Sequence, residues 1–181
     1  MIRDEALALV QASVKTKNLV KHMLAVEAGM RALAPRFGGD ADRWALAGLI
    51  HDLDYEDTKD HPERHGQVTV QLLRDQGFTD SEVLAAILAH AGQKEPETPI
   101  EHALSAVDPL TGLIVAAALV HPERLSGLTP HNVVNRYREK GFARSASREG
   151  IAGCADLGLE LEEFIALVLS AMQGIREDLG L

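Results

Sequence analysis

Cysteine is nearly absent from this chain, and the single thiol, Cys154, cannot form a disulfide framework within it. Its neighbours Ile151, Ala152, Gly153 and Ala155 include no base that would activate it, so Cys154 reads as a packing residue of a protein kept in a reducing interior. Basic residues are also in short supply, 18 Lys and Arg against 27 Asp and Glu. The resulting net charge of −9 argues against affinity for polymeric nucleic acid or an anionic membrane, while leaving room for a local basic patch that binds one phosphate. No uncharged run approaches the roughly 20 residues of a membrane span. The first residues, Met1-Ile2-Arg3-Asp4-Glu5, carry acids where a secretory signal carries bases and then an apolar stretch. These absences give the expectation of a soluble cytoplasmic protein. No segment alternates apolar and polar residues long enough to make a strand, and no internal repeat or linker divides the chain.

What is present is a 46% hydrophobic composition spread over 181 residues, enough for one domain with a substantial core. Apolar residues at helical spacing, punctuated by caps, predict an all-α domain of eight to ten helices over residues 1–181. Helices are predicted over 3–14, from Thr16 or Asn18 to about Pro35, from Asp40 or Asp42 through His51-Asp52, from Pro62 through His65 to Gly77, and over 83–91 with His90 near its end. An apolar stretch from Ile100 to Val120 contains Pro109, which removes one intrahelical hydrogen bond and predicts a break or kink beside Asp108. Further helices follow from Thr129-Pro130 to Tyr137, over 145–156, and over 160–179.

The organising stretch is Ala45-Leu46-Ala47-Gly48-Leu49-Ile50-His51-Asp52-Leu53-Asp54-Tyr55, an apolar run of small residues that ends in an imidazole and a carboxylate. Ala45, Ala47 and Gly48 would let a neighbouring backbone approach, and the buried His-Asp pair demands a partner. Five predicted helices together carry six residues of metal-ligating type: His22, His51, Asp52, His65, His90 and Asp108. Singly, each has a simpler reading as a core histidine bonded to a carbonyl, or, for Asp108, as a cap. His61, His102, His121 and His131 sit beside prolines, loops or helix starts and read as surface.

The ordered words Asn18-Leu19-Val20-Lys21-His22, Ala47-Gly48-Leu49-Ile50-His51-Asp52, His65-Gly66, Ala86-Ile87-Leu88-Ala89-His90 and Ala106-Val107-Asp108 resemble the HD-domain superfamily of metal-dependent phosphohydrolases. Within it, the chain is similar to small bacterial HD proteins and to the HD-domain hydrolases of diadenosine tetraphosphate. The resemblance covers about residues 18–120 and leaves 121–181 as a helical extension. It implies that His22, His51, Asp52 and Asp108 hold a divalent metal, that His65 and His90 complete a second site, and that Asp52 bridges the two ions. The metal could be iron, manganese, zinc, cobalt, nickel or magnesium (Fe, Mn, Zn, Co, Ni or Mg). Some mononuclear nucleotidases of the superfamily have a glutamate where this chain has Tyr55, which weakens that particular comparison.

Such a centre would attract a small phosphate-containing substrate, such as a nucleotide, and activate water as the nucleophile. Asp52 and Asp54 are the candidate catalytic acids, with Asp54 as proton acceptor. Lys21, Arg136, Lys140 and Arg144 are candidate substrate contacts; Arg148 continues the four-residue spacing, Arg138 adds a charge, and Lys59 and Arg64 compete from the loop after the His-Asp pair. Two other readings use the same residues: a di-iron oxygenase, and a noncatalytic metal- or nucleotide-binding module that pairs as a homodimer through the last helix.

Overall fold

The computed structural model describes residues 1–181, and every regular element in it is helical. Twelve α-helices succeed one another: α1 (Arg3–Ser13), α2 (Lys17–Leu33), α3 (Ala41–Ile50), α4 (Tyr55–Thr58), α5 (Gln67–Asp75), α6 (Ser81–His90), α7 (Pro99–Val120), α8 (Arg124–Gly127), α9 (Pro130–Arg138), α10 (Arg148–Ala152), α11 (Leu161–Gly174) and α12 (Arg176–Leu179). Eight of them run nine residues or more, and the others are single turns. Short 3-10 turns at Ala34–Phe37, Pro62–Arg64 and Gly153–Leu157 complete the chain. The helix count exceeds the expected eight to ten because the polar stretches read as loops contain single turns.

Helix starts follow the capping chemistry. The Asp40 carboxylate accepts the N–H of Arg43 at α3, and Asp80 accepts that of Val83 at α6. At α9, Thr129 and Asn132 exchange bonds in a reciprocal box ahead of Pro130.

The 22-residue α7 lies at the centre, packed by α2, α6, α10 and α11. By length and composition it could cross a membrane, but more than half of its most apolar stretch is buried among the other helices, and Glu101 and Asp108 interrupt it. Of the break or kink expected at Pro109, the break does not occur: α7 is continuous through it. Proline withholds the N–H that would bond the Ser105 carbonyl, and α10 packs closely over this point. A Cβ added at Gly150 would stand 3.1 Å from Pro109 Cγ and 3.4 Å from the Ser105 oxygen.

Two glycines bring helix axes together. A Cβ at Gly29 of α2 would stand 2.8 Å from Val107 of α7 and 3.3 Å from Val168 of α11. At Gly48 of α3 it would stand 2.8 Å from the backbone of Val26 and Glu27. Burial of Met23, Val26, Met30, Leu49, Ile50, Val107, Leu110 and Phe164 around these crossings fixes α2, α3 and α7 side by side. That arrangement delivers His22, His51 and Asp108 to one place.

Candidate metal centre

Each of the four histidines is held at Nδ1 and presents Nε2 to Asp52, and His22 and His51 also face Asp108. His51 follows the last residue of α3, and its Nδ1 donates to the Gly48 carbonyl at 2.7 Å. His90, at the end of α6, donates from Nδ1 to the Ile87 carbonyl. His22 on α2 lies 3.2 Å from the Thr111 hydroxyl, which itself donates to the Asp108 carbonyl at 2.9 Å and therefore accepts from the His22 ring. His65 donates from Nδ1 to Asp54 Oδ1 at 2.8 Å. A carbonyl, a carboxylate or a committed hydroxyl on each Nδ1 fixes the N–H there and leaves the Nε2 lone pair facing inward.

Those lone pairs divide between the two oxygens of Asp52. Oδ2 lies 3.5 Å from His51 Nε2 and 3.8 Å from His22 Nε2, whereas Oδ1 lies 3.4 Å from His65 Nε2 and 3.5 Å from His90 Nε2. Asp108 joins the first pair, with its Oδ1 3.0 Å from His22 Nε2 and 3.9 Å from His51 Nε2. The rings form an arc, His22 to His51 to His90 to His65, with successive centroids 5.4, 4.9 and 5.1 Å apart.

Two sets of donor atoms, His22 with His51 and Asp108, and His51 with Asp52 and His90, each lie within 4.8 Å of one another. Donors that share one ion at bonds of about 2.1 Å stand roughly 3.0 to 3.4 Å apart, so the closest of these spacings already match ligation. The Nε2 atoms of His51 and His90 are buried with no hydrogen-bond partner, a costly state that a divalent cation would relieve. The chemistry of the donor set fits a metal.

Electrostatics agree. Burial opposes the charged form at His22, but the Asp108 carboxylate, with help from Asp52, outweighs it and raises the imidazole above its ordinary range. At His65, too, burial is overcome by the hydrogen bond that the ring donates to Asp54 and by the charge of Asp52, and the pKa rises. His51, enclosed completely, goes the other way to about 4, since burial dominates despite Asp52 and His90 adds its own repulsion. Burial pushes Asp52 and Asp108 upward, but the surrounding imidazoles prevail and hold both below the usual carboxylate range.

The structure places Asp54 behind the centre. Its side chain is 1% exposed, Oδ1 accepts from His65, and Oδ2 accepts the Thr69 N–H at 2.9 Å. The Thr69 hydroxyl in turn accepts the Asp54 N–H at 3.1 Å. Asp54 was expected to be a proton acceptor; in the structure both its oxygens are engaged, one of them by His65. Sequence reading also placed His51-Asp52 and His65 inside helices. They lie in the turns that follow α3 and precede α5, where Gly66 takes a φ of +74° against the Ile87 carbonyl.

The predicted substrate cations do not gather here. Arg136 pairs with Glu139 at 2.8 Å, covers the Phe142 ring, and lines a cavity of about 300 Å³ with Ala117 and Val120, at the far end of α7 from Asp108. Lys140 and Arg144 are exposed and make no hydrogen bond or ion pair. Lys21 extends to Gly180 at the end of α12, where a Cβ would stand 2.7 Å from its Nζ. Arg148 is structural, donating to the carbonyls of Arg136, Tyr137, Glu139, Phe142, Ala143 and Ala146. None of His61, His102, His121 and His131 enters the cluster. Thr111 and Thr69 are functional neighbours that sequence reading missed. The three-residue step from Asp108 signals Thr111, whereas nothing local signals Thr69.

A family model described as HD domain matches residues 19–118. The chain belongs to the HD domain family. This family is one of metal-dependent phosphohydrolases, and its matched segment carries all six residues of the cluster. The HD chain is also 27% identical over 137 residues to a ribonuclease Y of Fervidobacterium nodosum, covering 74% of this chain and 26% of that protein. The ribonuclease Y of Thermotoga petrophila is 28% identical over the same length, with 27% of it covered. That of Sulfurovum is 33% identical over 95 residues, 52% of this chain and 18% of the relative. The chain spans about a quarter of the length of the longer matches. That these relatives are ribonucleases overturns the expectation that polymeric nucleic acid is excluded. Net charge describes the whole surface, whereas binding at a metal crevice is governed by the local field.

Proposed function

We propose that this HD domain hydrolyses phosphate esters at a centre of two divalent cations held by His22, His51, Asp52, His65, His90 and Asp108. The observation that supports it is the division of the four Nε2 lone pairs between the two oxygens of Asp52, with those of His51 and His90 buried and unpaired. When bound, divalent ions polarise a phosphoryl oxygen and lower the pKa of water toward neutrality. The side chains supply the rest. Asp52 and Asp108 balance cationic charge, the Nδ1 bonds fix the rings, and the 31% exposure of the Asp108 side chain opens the centre to solvent and substrate. The substrate is a nucleotide or another small phosphate ester, and the name shared by the relatives adds an RNA phosphodiester to the classes to be tested.

The test is hydrolysis of mononucleotides and sugar phosphates, read as released phosphate, and of dinucleoside polyphosphates and short RNA, read by separating the nucleotide products, after reconstitution with Mn²⁺, Fe²⁺, Co²⁺ or Ni²⁺. Hydrolysis of at least one class is expected, lost on chelation and in Asp52→Ala. Stoichiometric metal binding with no hydrolysis of any class would overturn the proposal.

A further inference from the structure

Tyr55 is the one aromatic side chain that the fold leaves exposed, at 46%, and it stands at the metal centre. Its ring meets that of His65 edge-on, with centroids 5.8 Å apart and planes at 77°, extending the arc of imidazoles outward by one ring. A tyrosine is more often turned into the protein, because its ring gains by leaving water and its hydroxyl finds a partner there. Here the backbone on both sides is fastened instead. Asp54 is tied to Thr69 and His65. The Glu56 carboxylate accepts the N–H groups of Lys15 and Thr16, at 2.8 and 2.9 Å, at the start of α2. The ring thus stands half-exposed on a fastened stretch of chain, with the His65 imidazole between it and Asp52.

The geometry points to Tyr55 as a stacking platform for the base of a nucleobase-bearing phosphate whose phosphoryl group lies at the metal centre. This rests on reading the centre as a phosphohydrolase site. A half-exposed aromatic ring one imidazole away from a phosphate site suits a planar base, and stacking tolerates any base because each has a π face. A sugar phosphate without a base would reach the same centre and forgo this contact. The ligand class is therefore a free nucleotide or a nucleotide at an RNA terminus.

The experiment is calorimetric binding of AMP and of ribose 5-phosphate to the metal-loaded chain and to its Tyr55→Ala and Tyr55→Phe variants. Metal content and melting midpoint are recorded for each. The unsubstituted chain is expected to bind AMP about tenfold more tightly than ribose 5-phosphate. Tyr55→Ala should remove that preference while leaving ribose 5-phosphate affinity, metal content and midpoint unchanged, and Tyr55→Phe should keep most of it. In steady state the Ala variant should raise KM for a nucleotide with little change in kcat. Equal binding of the two ligands by the unsubstituted chain, or equal weakening of both in Tyr55→Ala, would overturn the platform alone. No binding of either ligand would also overturn the platform, whereas the phosphohydrolase reading falls only if no substrate class is hydrolysed. A short oligoadenylate separates the sources: affinity above that of AMP identifies an RNA end, and affinity equal to it identifies the free nucleotide, each with the same dependence on Tyr55.

Discussion

At the scale of residues, the centre depends on what stands behind the histidines as much as on the histidines. Asp54 accepts from His65 on one oxygen and from the Thr69 amide on the other. In Asp54→Asn one of those two donors must face an NH₂ group, so His65 loses either its orienting bond or the backbone contact that holds its partner. Metal affinity should fall about 10- to 100-fold, as outer partners of metal-ligating imidazoles generally require, and a metal titration measures it. Unchanged affinity with lost turnover would instead return Asp54 to proton transfer. His22, His51, His90 and Asp108 were legible in the sequence because a histidine or aspartate in or beside an apolar run is costly without a partner. His65, in a polar segment, was marked instead by the ordered motifs that resemble the HD superfamily. The part played by Asp54 was not, since it is set by Thr69, 15 residues away. The cations were misjudged for a related reason. Four-residue spacing says which side chains share a helix face, but Arg136 is taken by Glu139 and Arg148 by the carbonyls around the end of α9.

At the scale of elements, the site exists because α2 and α3 touch through their backbones. The small residues before His51 announced that approach, and Gly48 makes it. In Gly48→Ala the new methyl would stand 2.8 Å from backbone atoms of Val26 and Glu27, which cannot rotate away as a side chain could. Overpacking of this kind costs roughly 1–3 kcal/mol, more than alanine's helix propensity returns, and denaturant unfolding should register the loss. Gly112→Ala is the control. It adds a methyl to α7 where no atom lies within 4 Å, and it should leave stability unchanged or raise it by up to about 1 kcal/mol. Helix positions and caps were largely readable from periodicity and from Asp40, Asp80 and Thr129. The continuity of α7 was not, because α10, forty residues downstream, covers Pro109. Neither was the release of His51 and His65 from their helices, which depends on the turns that the completed packing imposes.

At the scale of the whole molecule, the centre links metal, protons and folding. In the ion-free chain, neighbouring carboxylates raise the pKa of His22 and His65 above the ordinary imidazole value of about 6.5. A raised folded pKa stabilises fully below the unfolded value and loses that contribution as pH rises through the folded one. These two histidines therefore support the ion-free fold at mildly acidic pH and cease to do so as pH climbs beyond their raised values. His51, at about 4, acts in reverse: its contribution is present near neutrality and is lost as pH falls from about 6.5 toward 4. A cation needs all three imidazoles neutral, so over the window just above 6.5 it competes with protons on His22 and His65 but not on His51. A ligand that binds only the folded chain stabilises it by its concentration relative to Kd, so the stabilisation by a fixed Mn²⁺ concentration should grow with pH across that window. Melting curves with and without Mn²⁺ at pH 6 and pH 8 test this, with the larger metal-dependent rise in Tm expected at pH 8. A rise that is equal at the two values, or larger at pH 6, would mean that protons on His22 and His65 do not stand in for the cation.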